Sequence, residues 1–185
     1  MTLREYIDRL RGRTVAVIGI GVSNTPLLRL LLREGISVTA CDRSSREKLG
    51  ALAGELEAAG AKLQLGDGYL QNLSQDVIFR TPGLRPDVPE LEAAWAKGST
   101  ITSEMEVFFE VCPCPIIAVT GSDGKTTTTT IIAQLLRAAG HTVHVGGNIG
   151  HPLLAEADTI RPTDWAVLEL SSFQLMTMTH SPHIA

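Results

Sequence analysis

Twice in this chain an apolar strand runs directly into a glycine-rich turn and out into an amphipathic helix. The first passage is TVAVIGI (14–20), overlapping the turn GIGVSN (19–24); the second is PIIAVT (115–120), followed by GSDGKTT (121–127). A strand that feeds a helix in this way returns by a crossover to a neighbouring parallel strand. The fold class expected is therefore α/β, with ligand sites at the carboxyl ends of parallel strands. Each turn leads its own alternation of strand and helix, which predicts two domains rather than one.

The pattern between the turns agrees. A helix is expected from about Asn24 to Arg33, with Pro26 in its first turn, where a missing N–H costs nothing. Gly35 ends it, and ISVTACD (36–42) reads as the second strand. A helix rich in Ala, Leu and Glu is expected over 45–59, short strands near 62–65 and 76–80, and a loop at TPGLRPDVPE (81–90). A helix over about 90–97, a short strand near Thr100 and a helix over 103–111 follow, the last opened by Ser103 and Glu106 as a capping box. The prolines of CPCP (112–115) block a continuing helix, so the predicted domains are 1–111 and 112–185. In the second, a helix runs to about Ala139, HTVHV (141–145) is a strand, GGNIG (146–150) a turn and DWAVLEL (164–170) a strand.

Composition narrows the function classes. The net charge is −4 with Lys and Arg scattered, so no basic stripe marks a nucleic-acid surface. A polyanionic small molecule held by backbone amides is still compatible with that charge. At 44% hydrophobic and 19% charged the chain has the balance of a globular domain, and no apolar run approaches a membrane span of ~18 residues. Cys112 and Cys114 supply two thiols without a second pair, short of the four ligands of a structural zinc site. Reduced cysteines in a cytoplasmic protein are expected. His141, His144, His151, His180 and His183 read as surface or turn residues rather than metal ligands.

The segment VTGSDGKTT (119–127) carries the most chemistry. Successive backbone N–H groups of Gly121, Ser122, Asp123, Gly124, Lys125, Thr126 and Thr127 can wrap a phosphate at a helix N-terminus. Lys125 adds a point charge and Thr126 a hydroxyl for magnesium. Val119 stands where the full phosphate-loop pattern has glycine, so the reading rests on context: an apolar strand before, and Ile131, Ile132, Leu135 and Leu136 on the helix after. The simpler alternative is a Gly-Lys-Thr that only caps a helix. Glu169 closes an apolar strand and offers hard oxygen to magnesium; otherwise it is an ordinary acid ahead of a helix.

In the first turn, Gly19, Gly21 and Asn24 occupy the three glycine positions of a dinucleotide fingerprint, with Asp42 at the end of the second strand. Asn24 is a departure from that pattern. A nicotinamide-binding dehydrogenase domain is one reading, and it leaves both 121–127 and Glu169 unexplained. Another nucleotide diphosphate would use the same turn, with Asp42 accepting from its base or ribose. A non-catalytic nucleotide-binding module is a third.

One chain holding GIGVSN (19–24), TPGL (81–84), VTGSDGKTT (119–127), GGNIG (146–150) and ELSSFQL (169–175) in this order resembles the Mur ligase family. ELSSFQL and GNIG point within it to the member that adds D-glutamate. The resemblance implies a Rossmann-like first domain holding a uridine diphosphate substrate, followed by the first part of a P-loop-type α/β ATPase domain. A third domain and further metal ligands, a histidine and a modified lysine, would lie beyond Ala185, so this chain is expected to be inactive alone. The activity implied is ATP- and magnesium-dependent amide formation through an acyl phosphate. Its partners would be UDP-N-acetylmuramoyl-L-alanine and D-glutamate, with no nucleic acid or membrane and a monomeric full-length enzyme.

By the same resemblance, Gly21, Val22 and Ser23 meet the substrate diphosphate, Asp42 the uracil, and Thr81 and Gly83 flank the nucleotide. Gly121 to Thr127 hold ATP, with Lys125 on its terminal phosphates. Asn148, Ser171 and Gln174 touch the muramoyl-alanine end. Thr126 and Glu169 bind magnesium, which makes Lys125 and Glu169 the catalytic pair. Arg43 and Ser44 occupy positions where the family varies.

Overall fold

The computed structural model describes residues 1–185 and divides them into two compact units. One comprises Ile7–Glu104; the other comprises Met105–Ala185 together with Met1–Tyr6.

The first unit is a five-stranded, wholly parallel sheet. Its strands are β1 (Thr14–Ile18), β2 (Ser37–Asp42), β3 (Lys62–Leu65), β4 (Val77–Phe79) and β5 (Thr100–Thr102), in the order β3-β2-β1-β4-β5. β1 lies at the centre, and Val15, Ala16, Val17 and Ile18 are all buried, as a strand covered on both faces requires. The order reverses between β1 and β4, which opens a crevice at their carboxyl ends. At the other end Asp76 clamps the same two strands: its Oδ2 accepts from the backbone N and Oγ1 of Thr14, both at 2.7 Å.

Helix α1 (Leu3–Leu10, counted with the other unit up to Tyr6) precedes the sheet in the chain and buries Leu3, Ile7 and Leu10, a helical spacing set among charged residues. Helix α2 (Thr25–Arg33) follows the first turn and buries Leu27, Leu28, Leu30 and Leu31. Each such leucine contributes roughly 1.5–3 kcal/mol of burial. The helix expected over 45–59 is two: α3 (Arg46–Leu49) and α4 (Ala51–Ala58). Gly50 separates them with φ 57° and ψ −131°, values outside any helix. Ser45 caps α3 through its side chain, at 3.4 Å from the Lys48 amide. Helix α5 (Pro89–Ala96) begins at Pro89, within the segment expected to be loop.

In the second unit, α6 (Glu104–Val111, its first residue counted with the other unit) starts directly after Ser103. Cys112 and Cys114 are free thiols with their sulfurs 3.6 Å apart. The sheet is again parallel: β6 (Ile116–Val119), β7 (Val143–Gly147) and β8 (Trp165–Glu169), with β8 between the other two. A parallel bridge from Ile117 to Ile184 extends it on the β6 side, where Ala118 N donates to Ile184 O at 2.9 Å. Helix α7 (Lys125–Ala138) crosses from β6 to β7 and packs Ile132, Ala133 and Leu136 toward Ile117, Val143 and Val167. The short helix α8 (Ser172–Leu175) follows β8. No helix is long and apolar enough to cross a membrane.

Candidate functional sites

A cleft of about 690 Å³ opens at the β1–β4 reversal of the first unit. Gly21, Val22, Ser23, Asp42, Thr81 and Gly83, the six residues expected to meet a nucleotide substrate here, all line it. Val22 projects from the turn at 82% exposure, and the N-terminus of α2 opens behind it. Gly19 is needed for closure. It has φ +93°, and a Cβ there would lie 2.9 Å from the Cβ of Thr81. The turn and the loop after β4 therefore touch.

Asp42 builds this cleft as well as lining it. Its Oδ2 accepts from Ile20 N at 2.6 Å and its Oδ1 from Ser44 N at 2.7 Å. One carboxylate thus joins the glycine turn to the exit of β2, leaving its remaining lone pairs for a ligand. Arg43 and Lys48 also line the cleft, so the cations outnumber the carboxylate. Together with the oriented amides of the α2 N-terminus, that lining suits a polyanion.

Asn24, at the third glycine position, does something the motif does not describe. It is 1% exposed, and its Nδ2 donates to Ile18 O at 2.8 Å, pinning the end of β1 to the start of α2. Arg80 had no sequence signal beyond being an arginine at the end of an apolar strand. It is 1% exposed, and its Nη1 donates to Leu84 O at 3.0 Å.

The carboxyl edge of the second sheet gathers the other expected residues. The loop of Gly121 to Thr127 leaves β6, Asn148 follows β7, and Glu169, Ser171 and Gln174 stand at the end of β8 and just after it. β8 adjoins β6 with Val119 opposite Glu169, and this brings the Thr126 hydroxyl to 2.7 Å from Glu169 Oε2. Gly121 and Gly124 take φ values of 136° and 76°, the backbone turns from which a phosphate cradle is made. Lys125 folds onto its own loop, donating to Gly121 O at 2.9 Å and Ser122 O at 3.1 Å. Thr126 and Glu169 are paired hard-oxygen donors beside that cradle, which fits magnesium with a nucleotide phosphate. No group of three or more His, Cys, Asp or Glu side chains is placed so that it could hold a metal ion.

Around this edge the packing is tight. Asn148 N donates to Glu169 O at 2.8 Å, and a Cβ on Gly147, at φ +92°, would fall 2.1 Å from that same carbonyl oxygen. Ser171, not Glu169, is the N-cap of α8. It forms a capping box in which Gln174 Oε1 accepts from Ser171 N at 2.9 Å and Ser171 Oγ accepts from Gln174 N at 3.3 Å. Gln174 is 3% exposed, so these two residues shape the turn after Glu169.

The two groups of residues fall in different units of the chain. Residues 119–185 match the Mur ligase middle domain. The chain is 51% identical over 184 residues to the UDP-N-acetylmuramoylalanine–D-glutamate ligase of Acetivibrio thermocellus, covering 99% of this chain and 40% of that protein. The corresponding ligase of Ruminiclostridium cellulolyticum gives the same identity and coverage, and that of Clostridium novyi is 51% identical over 178 residues, 96% of this chain and 39% of its own. The chain thus spans about two fifths of the length of the curated relatives it matches. Among solved structures, a UDP-N-acetylmuramate:L-alanyl-gamma-D-glutamyl-meso-diaminopimelate ligase from Neisseria meningitides aligns with a TM-score of 0.48 and 22% identity, over 85% of this chain and 52% of that one. The UDP-N-acetylmuramate–alanine ligase of Thermotoga maritima aligns with a TM-score of 0.47 and 22% identity, over 86% of this chain and 37% of that one. With a phosphate-type loop facing a strand-end glutamate, the chain is similar to D-glutamate ligases along nearly its whole length, and its residues 119–185 match the Mur ligase middle domain.

Proposed function

We propose that this chain is the uridine-nucleotide module, through Val111, and the opening of the ATP module, from Cys112, of a D-glutamate-adding ligase of peptidoglycan precursor synthesis. In the reaction of the longer protein, the terminal phosphoryl group of ATP passes to the carboxylate of UDP-N-acetylmuramoyl-L-alanine. The amine of D-glutamate then attacks the acyl phosphate, forming an amide and releasing phosphate. The site would lie in the cytoplasm, where ATP is available and the three cysteines stay reduced.

The observation that carries the reading is the 2.7 Å pairing of Thr126 and Glu169 beside the 121–127 loop. These two residues would hold magnesium, which when bound neutralises charge on the transferring phosphoryl group. Lys125 would leave its contacts with the Gly121 and Ser122 carbonyls and bind the terminal phosphates. In the first unit, Gly21, Val22 and Ser23 would receive the substrate diphosphate, Asp42 the uracil, and Thr81 and Gly83 the adjoining nucleotide. Asn148, Ser171 and Gln174 would border the muramoyl-alanine end.

The test is calorimetric titration of the chain with UDP-N-acetylmuramoyl-L-alanine, paired with Lys125→Ala assayed in the full-length enzyme. Binding to the chain is expected, as is a loss of ligation on the order of 10²–10³ in rate. A variant that keeps most of its turnover would remove the loop from the ATP site, and absent binding would remove the nucleotide reading of the first cleft.

A further inference from the structure

We propose that Arg80 is a positioning residue for the nucleotide cleft, holding the loop 81–84 in the place where it forms the wall opposite the glycine turn. The inference rests on the reading of that cleft as a nucleoside-diphosphate site.

A guanidinium at 1% exposure is costly unless its hydrogen bonds repay the loss of water. Burial alone favours an apolar side chain at such a position, so an arginine here points to what its guanidinium donates to. Among its acceptors is the Leu84 carbonyl, 3.0 Å from Nη1 and four residues along the chain. The backbone N of Arg80 donates to Thr102 O at 2.8 Å, which ties its Cα to the sheet. Residues 80–84 are thus secured at both ends, one by a ladder-type bond and the other by the side chain.

Between those ends the chain turns back on itself, with Leu84 N donating to Thr81 O at 3.1 Å. The Leu84 side chain packs against the cluster of Ile18, Ile78 and Leu91. Thr81 lies against Gly19 so closely that a methyl group would not fit between them. Releasing the Leu84 carbonyl would therefore loosen the wall that faces the diphosphate turn, Thr81 and Gly83 included, while the substitution itself changes no residue proposed to contact the ligand. Lysine replaces the function only in part, because its ammonium is a compact, strongly hydrated charge that does not reproduce the position of Nη1 on a planar guanidinium.

The experiment uses the 185-residue chain, its Arg80→Met and Arg80→Lys variants, and UDP as the probe. Affinity is read by calorimetry well below each thermal midpoint, and loop order by amide hydrogen exchange at Leu84. Wild type is expected to bind UDP. Arg80→Met is expected to bind about tenfold or more weakly, with faster exchange at Leu84 and native circular dichroism, and Arg80→Lys is expected to recover part of both losses. If Arg80→Met fails to fold, Arg80→Lys decides by the same two readouts. Variants that bind UDP within about twofold of wild type would overturn the inference, as would a weakening fully accounted for by unfolded protein. A wild type that does not bind UDP would overturn the nucleotide reading, and the inference with it.

Discussion

Asp42 commits both carboxylate oxygens to backbone amides, Ile20 N at 2.6 Å and Ser44 N at 2.7 Å, so its charge organises the turn before any ligand arrives. An asparagine there could accept only one of these bonds and would turn its NH₂ toward the other N–H. We expect Asp42→Asn to lose about 1.5–3 kcal/mol of stability, the range for hydrogen bonds to charged groups, and to weaken UDP binding as the turn relaxes. Thermal unfolding and calorimetry check both, and unchanged values in both would mean that the turn holds itself. Gly147 is the corresponding position in the second sheet. With a Cβ 2.1 Å from Glu169 O, Gly147→Ala must push β7 away from β8. A cost of at least ~2 kcal/mol is expected, together with faster amide exchange at Asn148, whose N–H bonds that oxygen. The glycines and the aspartate were legible as motif members in the sequence. Their close approaches to Thr81 and Glu169 were not, because those neighbours lie far along the chain.

At the scale of elements, local signals worked where periodicity was strong and failed where composition alone spoke. The segment 45–59 reads as one helix because Ala, Leu and Glu dominate it, yet Gly50 breaks it into α3 and α4. The helix α1 hides among charges, although Leu3, Ile7 and Leu10 carry the spacing. The entry of β8 shows how an element's end acquires pH dependence. The buried Asp164 accepts from His144 Nε2 at 3.0 Å and Arg161 N at 3.0 Å, with the Arg161 guanidinium 3.3 Å away. The bond with His144, then the Arg161 amide, holds its carboxyl below the ordinary carboxylate range. A depressed folded-state pKa stabilises the fold above the unfolded value of about 4 and ceases to do so as pH falls through the folded value. Denaturant midpoints from about pH 7 to about 3 should therefore fall at the acid end, and Asp164→Asn should flatten that fall. An identical acid limb in the variant would show that the cluster does not govern it.

For the whole molecule, the residues assigned to the uridine nucleotide and those assigned to ATP belong to separate compact units. Lys125→Ala is accordingly expected to leave UDP affinity unchanged, measured by calorimetry on the chain; a matching loss would show that the loop contributes to the first cleft. The chain by itself is expected to release no phosphate that depends on D-glutamate. Thr126 and Glu169 pair two hard-oxygen donors at the second edge, and the chain has no group of three or more His, Cys, Asp or Glu side chains that could hold a metal ion. Positioning an amine and an acyl phosphate accounts for ~7–11 kcal/mol of barrier lowering, which an open cradle does not supply. Turnover at ordinary enzyme rates, lost in Lys125→Ala, would show a complete site.

The sequence by itself determined the α/β class and the two glycine turns, because each is local: an apolar strand, a turn residue and a helix start lie within a dozen neighbouring positions. It also held the identity of Glu169 as a strand-end acid. Only the tertiary structure decided that β8 lies beside β6, so that Glu169 meets Thr126 from 43 residues away. It alone decided that Asp42 reaches back 22 residues to Ile20, and that Arg80 is buried with its Nη1 on the Leu84 carbonyl. Strand order and side-chain reach depend on which faces pack together, and no window of sequence contains both partners.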